Sequence, residues 1–193
     1  EREVSCRLDF GDFDISGTDI KSVSISQSIC TSDFEIGTVN AAKLEAKISG
    51  VLNEELFETS FKNYTVIVYL GIKTAGGTTE IPMGKFKIET SDVEDKVITI
   101  KGYDAVAKTD ISFVPADIYP NTVRAVAEDI AAFCELEIAL GAFPNEDLMI
   151  ESMPQWGDIT CRTALGYIAE LAGGCWIADR YGKLKLVNYG SPV

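Results

Sequence analysis

The sequence predicts an α+β protein that is mainly β. An N-terminal antiparallel β-barrel or sandwich spans residues 1–110, and a small α/β domain with two helices, short strands and a C-terminal β-hairpin spans 111–193. Three observations lead there. Apolar residues alternate with polar ones at period two up to about residue 110, the spacing then changes to helical, and Gly, Pro and Asn punctuate both parts at turn-like intervals.

Taken in order, Ser22-Val23-Ser24-Ile25-Ser26 and Ala42–Ile48 alternate cleanly, as half-buried antiparallel strands do. Tyr64–Leu70 is more continuously apolar and reads as a central strand. Gly76-Gly77 marks a turn before Thr78–Ile81. Lys85–Glu89 and Val97–Lys101 alternate on either side of the acidic segment Ser91–Asp95, which reads as their turn. The second of these strands ends in Gly102-Tyr103-Asp104. Gly102 would permit a bend, Tyr103 would pack beneath it, and Asp104 would cap the turn of Ala105–Lys108.

Asp110–Pro120, with two prolines, reads as a linker. Asn121 or Thr122 can cap a helix whose apolar positions are Val123, Val126, Ala127, Ile130 and Phe133. Short strands are expected at Leu136–Leu140 and near Leu148–Ser152. Thr160 caps a second helix with Ala164, Leu165, Ile168, Ala169 and Leu171 inward, and Gly173-Gly174 ends it. Cys175–Val187 reads as a hairpin turning at Tyr181-Gly182. Thr122-x-Arg124 with Ile130-Ala131 is matched 38 residues later by Thr160-x-Arg162 with Ile168-Ala169, a weak internal similarity.

Composition narrows function. Seventeen basic residues against thirty acidic give a net charge of −13, a field that repels phosphate backbones, so nucleic-acid binding is not expected. No apolar run reaches the ~18 residues of a membrane helix. Glu1 and Ser191-Pro192-Val193 read as borders, which leaves room for a removed signal or for further C-terminal domains. Five widely spaced cysteines (Cys6, Cys30, Cys134, Cys161, Cys175) without a Cys-x-x-Cys pattern read as small buried thiols of a chain folded in a reducing cytoplasm. Histidine is absent, which removes Ser-His-Asp triads, Cys-His dyads and the commonest zinc ligand.

The remaining motifs carry little chemistry. Asp12-Phe13-Asp14-Ile15-Ser16-Gly17 matches half of a calcium loop, but Val23 stands where a bidentate Glu is needed. Asp9-Phe10-Gly11 lacks the phosphate loop and the His-Arg-Asp segment that would make it a kinase element, and Gly71 to Gly77 shows no Walker pattern. Glu54, Glu55, Asp92, Glu94 and Asp95 lie in polar surroundings that would not raise a carboxyl pKa for acid catalysis. Trp156, in a loop, could stack on a sugar or cap the core, whereas Trp176 reads as core. No catalytic, cofactor or metal residue is predicted.

The segments Ser22–Ser28, Phe34-Glu35-Ile36-Gly37 through Leu44, Ile81-Pro82-Met83-Gly84-Lys85-Phe86, Ile98–Asp104, the helix at Thr160–Ala172 and Asp179-Arg180-Tyr181-Gly182-Lys183-Leu184 are ordered along nearly the whole chain. Together they resemble the N-terminal region of phage and prophage tail hub proteins, a family also described as prophage tail endopeptidases or minor structural tail proteins. The resemblance implies a β-barrel that joins a ring, usually trimeric, beneath the tail tube, followed by a small α/β domain. It implies tail-tube and distal-tail proteins as partners, assembly in the bacterial cytoplasm, and residence in the virion at the tail tip. Relatives often carry C-terminal peptidoglycan-degrading or receptor-binding portions, which this chain ends before reaching. The expected role is structural, and the acidic excess would suit the lining of a channel through which DNA slides. Two other readings remain: a carbohydrate-binding β module built on Trp156 and surface tyrosines, and a cell-wall glycosidase using carboxylates alone.

Overall fold

Period-two segments can bury one face only by pairing side by side, and they do so in one antiparallel seven-stranded sheet. The computed structural model describes residues 4–28, 35–49, 60–74, 77–115, 119–154 and 157–188. Its strands are β1 (Val4–Asp9), β2 (Asp14–Ser16), β3 (Ile20–Ser26), β4 (Lys43–Ser49), β5 (Thr65–Thr74), β6 (Gly77–Glu94) and β7 (Val97–Tyr103), in the order β2-β1-β5-β6-β7-β4-β3. Two compact units are present: Glu1–Ser26 with Ala42–Asp104 and Arg180–Gly182, and Gln27–Ala41 with Ala105–Asp179 and Lys183–Val193.

In the first unit the 18-residue β6 does the folding. Its first part pairs with β5 as far as Lys87↔Thr65, and its remainder pairs with β7 from Lys87↔Tyr103 to Glu94↔Val97. Register shifts at Val68/Tyr69 and Ile88/Thr90 mark bulges, the usual device for bending a strand from one layer toward another. Leu8, Leu44, Ile48, Phe61, Val66, Phe86, Ile88, Ile98 and Ile100 form the core enclosed by this sheet. The result is sandwich-like. Among the described residues no barrel closes, and β2 and β3 remain as the sheet's two edges.

The expected acidic turn at Ser91–Asp95 is displaced. β6 continues to Glu94, and the chain reverses at Asp95-Lys96, both at positive φ (48° and 60°) as a tight primed turn requires. Alternation failed as a guide there because the bulge shifts the period by one residue.

In the second unit, helix α1 (Val123–Phe133) and helix α2 (Cys161–Ala172) bury the faces that their spacing predicts. The Thr122 and Thr160 hydroxyls accept from the N–H groups of Ala125 and Thr163, each at 3.2 Å. Gly173, left-handed at φ 67°, ends α2. Strands β10 (Gly174–Ala178) and β11 (Leu184–Asn188) form the C-terminal hairpin, tied at its turn by Asp179 and Lys183.

Three expectations are corrected here. Leu136–Leu140 is not a strand; only Ile138 makes an isolated bridge, to Leu184. The strand near Leu148–Ser152 shrinks to β9 (Met149–Ile150), paired with β8 (Asn121–Thr122). Asp110–Pro120 is not merely a linker. Phe113 is buried, its N–H donates to the Ile159 carbonyl, and Cys161 N–H donates to the Ile111 carbonyl, so the segment is stitched to the start of α2.

Candidate functional site

Three places combine polar chemistry with fixed geometry: the end of β7, an arginine cluster on β1, and a groove against α2.

At the end of β7, Gly102 is obligatory for close approach. A Cβ there would fall inside the van der Waals shell of the Lys87 carbonyl, across the bulge of β6. Asp104, 6% exposed, is a buried carboxyl of the first unit. One of its oxygens accepts the Ala42 N–H at 2.9 Å, while its own N–H donates to the Ala42 carbonyl at 3.0 Å. This two-bond pincer fastens the start of β4 to the end of β7. Tyr103 does not pack beneath Gly102 as expected. Strand alternation turns it to the opposite, half-exposed face, in register with Lys43 on one side and Lys87 on the other.

On β1, the Arg7 guanidinium forks onto Glu80 (3.0 and 2.7 Å), reaches Asp9 at 3.0 Å and lies 4.3 Å from the centroid of the Tyr69 ring. Asp9 is held below the ordinary carboxylate range, first by accepting the Gly11 N–H and then by Arg7. Glu80 is held below it by the hydrogen bonds from Arg7, and Arg7 is pushed up in return. The half calcium loop Asp12–Gly17 folds as a turn, β2 and a short 3₁₀ segment. No group of three or more Cys, Asp or Glu side chains converges at metal-binding geometry among the described residues.

In the second unit, residues 37–40 run beside α2 and border a groove of about 300 Å³ that Arg162 and Tyr167 also line. Gly37 donates to the Gly174 carbonyl, Trp176 N–H donates to the Thr38 carbonyl, and Val39 bridges Trp176 in parallel. Gly166 on α2 gives room for the Gly37 carbonyl, 2.8 Å from where a Cβ would stand. Arg162 grips Asp110 through two nitrogens (2.6 and 2.8 Å). Arg124, its counterpart on α1, pairs with Glu146 and Glu128 and donates to the Gly141 carbonyl. The Thr-x-Arg similarity thus has a local meaning: each Thr caps, and each Arg two residues on ties a preceding or following segment to its helix.

Trp176 is fully buried, and its indole donates to the Leu165 carbonyl at 3.0 Å. Cys134, Cys161 and Cys175 are buried thiols and Cys6 is half-buried. Burial pushes Cys134 up to about 12. Asp92, Glu94 and Asp95 are exposed. Glu54, Glu55, Cys30, Phe34 and Trp156 lie outside the described residues. Tyr64, Tyr167 and Tyr181 are exposed, and Tyr64 belongs to an aromatic cluster with Phe10, Phe13 and Phe61. No helix among the described residues is long and apolar enough to cross a membrane.

This architecture recurs in solved proteins. A tail protein from Neisseria meningitidis MC58 superposes with a TM-score of 0.68 at 16% identity, over 98% of this chain and 52% of that one. The 43 kDa tail protein of prophage MuSo2 from Shewanella oneidensis gives 0.61 at 15% identity, over 95% of this chain and 52% of that one. The chain therefore has a fold found in phage tail proteins and spans about half the length of these two. No family model and no curated protein matches the sequence.

Proposed function

We propose that the chain is a structural component of a phage or prophage tail, placed at the tail tip or baseplate hub, where it works through subunit–subunit and tail-tube contacts rather than catalysis. The observation that carries this reading is the agreement of fold over 98% of the chain with a tail protein, across both compact units and not one shared module. The chemistry is consistent with it. In the sheet unit the buried Asp104 carboxyl fastens two strands to one another, and the arginines of the helical unit fasten loops to helices. In this reading the partners are tail-tube and distal-tail proteins, the ring is a homotrimer, and assembly in the bacterial cytoplasm precedes residence in the virion.

The domain division proposed from the sequence, with a tail-hub domain over 1–110 and a small α/β domain over 111–193, would place the ring contacts on the sheet. The test is co-purification of the chain with the tail-tube and distal-tail proteins encoded beside it, together with mass spectrometry of purified tails. Stoichiometric presence in tails supports the reading. Absence from tails, or hydrolysis of cell wall by the 193-residue chain, overturns it.

A further inference from the structure

Around Tyr103 the solvent face of the sheet is rich in lysine on a chain that is otherwise strongly acidic, with Glu45 and Asp92 on the same face. Strand alternation and register collect five lysines there. Lys43 of β4 and Lys87 of β6 stand in register on either side of Tyr103, with Lys85 two residues before Lys87. Lys101 precedes Tyr103 by two on β7, and Lys47 follows Lys43 by four on β4. The intervening residues Leu44, Ala46, Phe86, Ile88, Ile100 and Gly102 are buried, which fixes the lysines on the opposite face. Paired strands lie ~4.8 Å apart and alternate residues ~6.7 Å, so Lys43, Lys85, Lys87 and Lys101 gather within about 10 Å of Tyr103 and Lys47 lies about 14 Å from it.

Glu45 sits opposite Lys101, but among the described residues none of the five lysines is in an ion pair. Thirty carboxylates were available to pair with them, and the structure leaves these five facing solvent.

We infer that this lysine face docks the acidic surface of a second copy of this chain. The complement is within the molecule: the second compact unit carries five basic against fourteen acidic residues, −9. Its acids Asp129, Asp147, Glu151 and Asp158 are exposed. A contact between the sheet of one copy and the helical unit of the next is heterologous, so it propagates around a ring instead of closing as a pair. A free polyanion fits less well, because the acidic field of the whole chain opposes its approach. The inference rests on the structural tail reading and names the surface by which copies would meet.

The experiment is sedimentation velocity on the 193-residue chain at 20 mM and 500 mM salt. It compares the native sequence with a Lys85→Glu/Lys87→Glu/Lys101→Glu variant, whose far-UV CD and melting curve check that it folds. Native self-association at 20 mM that weakens at least tenfold at 500 mM, and at least tenfold in the variant, is the expected result. Association unchanged in the variant overturns the lysine face and leaves an oligomeric tail role standing. A native chain that is monomeric at 20 mM salt and 200 µM protein overturns it as well. Binding of a 30-base-pair DNA duplex by the native chain but not the variant, without self-association, would overturn it in favour of a nucleic-acid surface. Loss of the tail reading itself shows separately, as absence from purified tails.

Discussion

Replacing Asp104 with alanine tests whether the first unit depends on the pincer between β4 and β7. The side chain is 6% exposed and accepts the Ala42 N–H at 2.9 Å; the backbone bond in the other direction, at 3.0 Å, survives the substitution. A net hydrogen bond contributes about 1 kcal/mol, and an orphaned buried donor costs about 1–3 kcal/mol. The two overlap, because both concern the same Ala42 N–H, so the expected loss is about 2–3 kcal/mol. Asp104→Asn keeps a carbonyl oxygen able to accept and should lose about half as much. Because two units can unfold separately, a single global midpoint is a poor readout. Native-state amide exchange is the better assay, with urea unfolding followed by CD beside it. At 1.4 kcal/mol per factor of ten, Ala42 and its β4 neighbours should exchange roughly 30- to 140-fold faster in the alanine variant. Exchange within threefold of the native rate would refute the argument that this carboxyl fastens the strand.

Other expectations follow from the same contacts. Asp9 and Glu80 have native pKa values below their unfolded ones near 4, so the stability they contribute is present above about pH 4 and is lost as pH falls through the lowered values. Arg7→Gln should therefore lower stability at pH 7 and flatten the acid limb, as read by CD-monitored urea midpoints between pH 2 and 7. In a Cys30→Ser background, a thiol reagent at pH 8 should modify half-buried Cys6 first and reach Cys134, Cys161 and Cys175 only in denaturant. Mass spectrometry of partially labelled protein decides the order. Thr122→Ala and Thr160→Ala should each cost about 1 kcal/mol by removing an N-cap, additively in the double variant if the two caps act independently. Thermal melts would check this.

The candidate surfaces were only partly legible in the sequence. Gly102, Tyr103 and Asp104 were singled out, yet their roles changed. Gly102 yields to a carbonyl across a bulge, Tyr103 stands among lysines, and Asp104 reaches back to residue 42. All three depend on which strand lies beside β7, and alternation does not reveal that. Gly37 and Gly166 carry the same lesson: each is small because the other's segment passes close by, more than a hundred residues away in the chain. The lysines could be counted from the sequence, but collecting them on one face needed the register of β4, β6 and β7.

The sequence by itself determined the elements whose causes are local. The strands at Ser22–Ser26 and Ala42–Ile48 follow from alternation, that at Tyr64–Leu70 from a nearly continuous apolar run, both helices from apolar spacing and threonine caps, and the helix stop at Gly173 from a left-handed residue. These are short-range preferences within a few residues, and they survived folding. Tertiary structure alone decided the rest. It ran β6 through the expected turn, put β2 and β3 at the two ends of the strand order, placed residues 27–41 with the helical unit, and gathered lysines around Tyr103 on an acidic chain. Those outcomes turn on which distant segments bury one another's apolar faces, a choice made by the whole chain at once and written in no single window of it.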